Sequence, residues 1–195
     1  MPFHYNRPCE TYSKENKGLE IYRDELPINP RDKEYDEGNL SNMCCWSRDI
    51  NGDKHNFDNP AEFREYVDEY SEVFECVFNL YYTHENIFVS KYYDNLWDYG
   101  QIGYITVTKE TVKRLGCVLP EDFFERMNKL HEWVTSEMNV YNDYLNGDVY
   151  GFELYSEEEC PCCKQTIRKD LDSCWGFYGS DHKKSGLFEQ AGWEV

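Results

Sequence analysis

Apolar positions in this chain change spacing along its length, and the changes mark its elements. Phe123, Phe124, Met127, Leu130, Val134, Met138, Tyr141 and Leu145 recur at steps of three and four, which places them on one face of a long helix. Pro120, Glu121 and Asp122 open it, with proline's preset φ and acids facing the positive end of the helix dipole. Asn146-Gly147 closes it, because glycine takes a left-handed cap conformation without a Cβ clash. Beyond Gly147 the period drops to two: Val149, Gly151 and Glu153 alternate with Tyr150, Phe152 and Leu154, a strand with one buried side. Leu171 to Tyr178 is the matching strand, and the aromatic content of both suits cross-strand packing under a helix.

The first half is read the same way. Met1 to Lys17 is polar and without a period, which predicts an N-terminal arm; Gly18 to Asp24 can form a short strand. Pro27, Pro30 and Gly38 make Glu25 to Leu40 a loop, and Asn42 to Asp49 is a strand ending at the Asn51-Gly52-Asp53 turn. Asp58-Asn59-Pro60 caps a helix whose inward stripe is Phe63, Val67, Tyr70 and Phe74. Cys76 to Tyr82 and Ile87 to Tyr92 flank a turn at Thr83 to Asn86 and read as a hairpin. Gly100 to Thr108 is a further strand, after which Thr108 caps a short helix that runs through Leu115 and stops at Gly116. Strands follow strands and helices gather late. The expected class is therefore α+β: a mostly antiparallel sheet packed by the long helix of the C-terminal half, a single domain over 18–195 with a hairpin extension around 156–170.

Composition narrows the partners. Forty per cent apolar residues, seventeen per cent of the chain aromatic, predict a folded protein despite a mean hydropathy of -0.83. The 38 acids against 20 bases leave a net charge of -18 over 195 residues. That field repels phosphate backbones and anionic lipid headgroups, so the expected partner is a basic protein surface rather than nucleic acid or membrane. Met1 to Ile21 is polar and lacks the apolar run of a signal peptide, which points to the cytoplasm; nine cysteines, an odd number, then read as reduced thiols.

Two local patterns carry candidate chemistry. On the predicted Asn59-capped helix, Glu62, Glu65, Glu69 and Glu72, with Asp68 beside them and Arg64 the only base, form a negative ridge rising roughly 5 Å per turn. Like charges at these spacings cost a few tenths of a kcal/mol per pair, so the ridge reads either as a solvated face or as a phosphate-spaced surface that occupies another protein's nucleic-acid groove. The second pattern is Cys160-Pro161-Cys162-Cys163-Lys164, which resembles half of a zinc-ribbon knuckle, with Cys160 and Cys163 as candidate ligands of a structural zinc. Cys174 is too far back along a regular hairpin to complete that site, so Cys9, Cys44, Cys45, a histidine or a second subunit would have to.

Enzymatic readings have less support. His55 near Asp53, His84 near Glu85 and Asp98 near Trp97 could move protons, and Cys44, Cys45 or Cys174 could act as a nucleophile. The sequence holds no nucleophile elbow, phosphate loop, dinucleotide fingerprint or zinc-protease motif around them. His131 beside Glu132 on the long helix reads as a packing or surface residue, and seventeen tyrosines exceed what one core needs.

Asn29-Pro30-Arg31, Asn39-Leu40, Met43, Cys45-Trp46 and Gly52-Asp53-Lys54-His55-Asn56-Phe57 together resemble the opening of a family of uncharacterised accessory proteins of bacteriophages and mobile elements. The resemblance continues through Trp97-Asp98, Gly100-Gln101-Ile102-Gly103, Tyr144-Leu145, Gly147-Asp148-Val149-Tyr150-Gly151 and Asp172 to Gly179, covering nearly all of Arg23 to Asp181. This chain departs from the family at Ser47, where a histidine or aromatic is usual, and over Val89 to Asn95. The resemblance implies a small phage protein working in the bacterial cytoplasm and transfers no catalytic residue. With the charge, it leads to the expectation of a non-enzymatic inhibitor of a host defence nuclease, anti-CRISPR or anti-restriction, acting as a DNA mimic. The alternative is a small metal-stabilised enzyme or regulatory module of phage or host metabolism.

Overall fold

A computed structural model describes residues 7–32, 38–48, 50, 52–83, 86–90 and 100–194. In chain order its strands are β1 (Glu10–Lys14), β2 (Lys17–Arg23), β3 (Asn42–Cys45), β4 (Phe74–Thr83), β5 (Asn86–Ser90), β6 (Gln101–Thr108), β7 (Val149–Glu159) and β8 (Thr166–Tyr178). The helices are α1 (Pro60–Glu69), α2 (Lys109–Arg114), α3 (Phe123–Leu145) and α4 (Leu187–Gln190). The architecture is α+β, and every strand pairing is antiparallel. The strands form two four-stranded sheets, β1-β2-β7-β8 and β3-β6-β4-β5, and the chain divides into two compact units accordingly. One unit joins Met1–Ile28 to Asp143–Val195, and the other is Asn29–Asn142. Of the expected hairpin, 84–85 and 91–92 lie outside the described residues, as do 33–37 of the expected loop, 49 of the expected strand, 51 of the expected turn and Met1 to Asn6 of the expected arm.

The first unit contains a strand that the sequence pattern does not signal. Glu10–Lys14 falls within the expected arm, yet it pairs with β2 along its whole length. Its side chains are almost all exposed, so backbone pairing holds it and no apolar period is needed. One face of this sheet carries Leu19, Ile21, Tyr150 and Phe152, buried together with Leu187 and Ala191 at α4. The other face is built around two glycines. A Cβ on Gly18 would lie 2.2 Å from the Tyr155 ring, and one on Gly151 would lie 2.2 Å from the Trp175 ring. Trp175 sits over Gly151 because the β7–β8 register slips there: Tyr150 faces Phe177 and Gly151 faces Trp175, leaving Gly176 bulged at φ 89°. On the same face Arg168 lies 3.9 Å from the Tyr155 ring centre and pairs with Glu20 at 2.6 Å and Glu153 at 2.9 Å.

In the second unit β6 is central, and Gly103 to Val107 are buried on both of its sides. α3 contributes Leu130, Val134, Met138 and Tyr141 to the buried interior. Asn142 fixes it against β5: its amide accepts from the Ile87 N–H and donates to the Ile87 carbonyl, both at 2.8 Å, as a neighbouring strand would. The helix starts later than the sequence suggests. Asp122 caps it by accepting from Glu125 N at 2.9 Å, and Phe123 and Phe124, expected on the inward stripe, are 58% and 75% exposed. Periodicity defines the apolar face of a helix, but how far that face is covered depends on what lies beside it.

The described residues on either side of 33–37, from Asn29 to Asp32 and from Asn39 to Ser41, are held by a buried ion network. The Arg31 guanidinium donates to both Asp53 oxygens, at 2.7 and 3.2 Å, and to the Ser41 carbonyl at 3.0 Å. Asp53 also accepts from Met43 N at 2.8 Å, and Glu137 on α3 accepts from Leu40 N at 2.5 Å and Ser41 N at 3.2 Å. Arg31 and Asp53 side chains are only 3% and 5% exposed. Arg31→Leu leaves a carboxylate buried without its cation, and should lower the unfolding free energy by about 3–5 kcal/mol in urea titrations. Gly151→Ala should cost about 1–3 kcal/mol by the same measurement, because the added methyl displaces Trp175; an unchanged midpoint would show that the ring yields freely.

Candidate functional site

Each unit presents one candidate. In the second unit, Asn59 caps α1: its side-chain oxygen accepts from Ala61 N and Glu62 N, each at 3.0 Å, and Pro60 takes the first helical position. Glu62 accepts from Asp58 N at 2.7 Å, so this member of the ridge has a capping role. Glu65, Asp68, Glu69 and Glu72 are exposed, and among the described residues they form no ion pair and no side-chain hydrogen bond. Arg64, the one base on the helix, is turned away from them; it donates from Nε to the Tyr104 hydroxyl, with its guanidinium 5.4 Å from that ring.

The ridge is shorter than the sequence spacing suggests. α1 ends at Glu69, and Ser71–Val73 form a 3-10 turn, so Glu72 leaves the helical line. Asp68 lies to one side of it, lining a cleft of about 990 Å³ with Arg64, Trp46, Asn79, Gln101 and Tyr104. Tyr70, expected to face inward, is 39% exposed, and its ring lies 4.9 Å from that of Tyr66, itself 38% exposed. Phe74 belongs to β4. α1 thus shows carboxylates on one flank and two half-exposed tyrosines on the other, a feature absent from a reading that assigned Tyr70 to the core.

Of the candidate acid–base groups among the described residues, Asp53 and His55 hold separate partners. Asp53 is engaged by Arg31, while His55 contacts the Cys45 carbonyl at 3.2 Å and packs 4.8 Å from Trp46 and 6.1 Å from Phe57. His84, Glu85, Trp97 and Asp98 lie outside the described residues. Burial raises the Cys45 thiol pKa and pushes that of Cys76 up to about 12, which keeps both protonated; Cys44 is buried and Cys174 half-buried. His131 contacts the Val89 carbonyl at 3.2 Å and stands edge-on to Phe78, a packing role.

In the first unit, the tip of the β7–β8 ribbon gathers three thiols. Cys160, Cys162 and Cys163 have sulfur atoms all within 4.8 Å of one another, an arrangement that could hold a metal ion. The turn is that of a knuckle: Cys160 N donates to the Gln165 carbonyl at 2.8 Å, and Lys164 N to the Cys160 carbonyl at 2.9 Å, with Lys164 at φ 62°. The Cys162 thiol, 2.9 Å from Cys160 Sγ, is the main influence that lowers the Cys160 pKa to about 6, and the backbone amides of Cys163 and Cys162 add to it. The same contact raises the pKa of Cys162. Spacing pointed to Cys160 and Cys163; Cys162 joins them because the turn folds its thiol back toward Cys160.

Alkylation of the reduced, metal-free protein with iodoacetamide, followed peptide by peptide, tests this geometry. A lowered pKa means that thiolate dominates above it, so the Cys160 rate should rise through about pH 6 and level off by neutrality. Cys162 should still be climbing above the ordinary thiol range. Equal pH profiles for the two would contradict the sulfur contact. No helix among the described residues is long and apolar enough to cross a membrane. Comparison of the whole chain with protein-family models, curated proteins and solved structures finds no match, so the reading of these two sites rests on their own geometry.

Proposed function

We propose that this protein is a non-enzymatic inhibitor that binds a basic, nucleic-acid-binding surface of another protein, with α1 as its contact element. The observation that carries this reading is the state of the carboxylates of α1 and the turn after it: Glu65, Asp68 and Glu69, with Glu72 just beyond the helix, are exposed and form no ion pair among the described residues, beside half-exposed Tyr66 and Tyr70. A helix selected for stability alone would pair such charges with lysine or arginine. Tyrosine supplies apolar contact area with a polar tip, the composition favoured at protein interfaces, and carboxylates accelerate encounter with a basic groove. The net charge of -18 adds a long-range field of the same sign. The resemblance to phage accessory proteins supports a host defence nuclease, of the CRISPR or restriction type, as the target, and the bacterial cytoplasm as the place of action.

A second reading, a small metal-stabilised enzyme or regulatory module, is favoured by the ribbon tip, whose knuckle supports a structural zinc held by Cys160 and Cys163. A structural metal by itself is compatible with the first reading; turnover of a substrate would overturn it.

Affinity capture from bacterial lysate at low and high salt, with bound proteins identified, tests the first reading. A basic nuclease that elutes with salt is the expected result. Replacing Glu65, Glu69 and Glu72 by glutamine should slow its association about tenfold or more at low salt and flatten the salt dependence, and Tyr66→Ala with Tyr70→Ala should speed dissociation. Glu62 is left in place because it caps the helix. Unchanged binding in both variants would remove α1 as the contact surface.

A further inference from the structure

The ribbon tip holds thiols that its own unit cannot close around a metal. The other strands support the ribbon only at its base: β2 follows β7 as far as Ser156, opposite Lys17, and the Asn16 carbonyl accepts from Glu157 N at 2.7 Å. Beyond that point Glu158 and Glu159 pair with Ile167 and Thr166 alone, and the apex is a two-stranded projection. A structural zinc takes four ligands in a closed tetrahedron, with thiolates about 2.3 Å from the ion and a Cys-x2-Cys pair as the usual half-site. Cys160 and Cys163 have that spacing, and the knuckle that presents them is already folded.

Among the described residues, the remaining cysteines and the histidine of this unit lie at the far end of the sheet. Cys174 stands opposite Phe152, eight residues back from Cys160, roughly 26 Å at strand rise. Cys9 precedes Glu10, which faces Ile21, and Ile21 in turn faces Phe152; the His182 ring packs 4.8 Å from that of Tyr150, further back still. No other histidine, cysteine or carboxylate among the described residues joins the three thiols.

A second copy supplies the missing half-site with the same knuckle, and Lys164, which pairs with Glu159 at 2.9 Å, and Lys169 offset part of the acidic charge at the apex. Beside it Ile167 is 51% exposed, apolar surface that a neighbouring ribbon would cover.

We propose that Cys160 and Cys163 from two copies of this chain enclose one zinc ion, joining two ribbons tip to tip about a two-fold axis. Each coordinating thiol gives its proton to the buffer, so the ion is held by four thiolates, two from each chain. Cys162 stands beside the site and is not required for it. The inference rests on the zinc reading of the knuckle and is independent of α1; a dimer would carry two α1 surfaces, and so could gain avidity on a repeated or dimeric target.

Full-length protein kept reduced and stripped with a chelator is titrated with zinc, following metal content by mass spectrometry and molar mass by light scattering. The expected result is one zinc per two chains, a rise from 23.4 kDa to twice that mass, and reversal by chelator. Cobalt in place of zinc should give the intense visible bands of a tetrahedral four-thiolate site. Cys160→Ser and Cys163→Ser should each abolish the mass change while circular dichroism stays native, and Cys162→Ser should leave the stoichiometry and mass intact. One zinc per chain on a monomer would overturn the shared site and leave the zinc reading standing. Absence of zinc binding would overturn both, and a dimer that persists in chelator or dissolves with reductant would overturn metal linkage.

Discussion

One buried guanidinium organises the second unit. Arg31 enters the protein on a loop with no regular structure, and its charge is tolerated there because Asp53 meets it with two oxygens and the Ser41 carbonyl takes a further bond. The network joins elements that are distant in sequence: Asp53 holds the start of β3 through Met43, and Glu137 holds Leu40 and Ser41 to α3. A buried ion pair contributes little net stability over an apolar substitute, but removal of either partner is heavily penalised. In this arrangement each member is met: Arg31 by Asp53 and the Ser41 carbonyl, and Asp53 also by Met43 N. The entry of β3 into the sheet, and with it the Trp46, Phe57, Phe63 and Tyr104 cluster beneath α1, follows from that arrangement.

This network also explains what many of the motif residues do. Asn29, Arg31, Asn39, Leu40, Met43 and Asp53 all take part in it or in the turns around it, while Trp46, His55 and Phe57 pack together beside it. In the other unit, Gly151, Trp175 and Gly176 are a matched set in which a missing side chain admits an indole and a bulge aims it. These residues thus build the scaffold. The candidate sites lie elsewhere, on α1 and at the ribbon apex, where side chains are exposed and local sequence is free to vary without disturbing a core.

The two sites differ in the physics they use. α1 offers charge and aromatic surface on a well-capped helix, the chemistry that the proposed encounter with a basic surface would use. The ribbon apex offers soft ligands preset by backbone hydrogen bonds, an arrangement that could hold a metal ion by loss of protons rather than by burial. Each is positioned by short-range structure: Asn59 and Glu62 set the helix start, and the Cys160–Gln165 turn sets the knuckle.

By itself the sequence determined the α+β class, the antiparallel pairing of β7 with β8, the Asn59 and Thr108 caps and the inward stripe of α3 from Leu130 onward. All of these follow from periodicity and capping chemistry within a few residues. The Cys-Pro-x-Cys turn and the acidic character of α1 were legible for the same reason. Only the tertiary structure decided that the strands part into two sheets, since pairing partners are chosen by contacts far apart in the chain. It alone recruited β1, whose exposed side chains carry no apolar signal, and left Phe123 and Phe124 uncovered. Tertiary packing likewise set Tyr70 at the surface, moved Glu72 off the helix, occupied Glu62 with capping and added Cys162 to the thiols, because each outcome depends on where a chain bends rather than on spacing. The Arg31–Asp53 pair was the least visible of all: two charged residues separated by a loop reveal nothing of their partnership until folding excludes water from both.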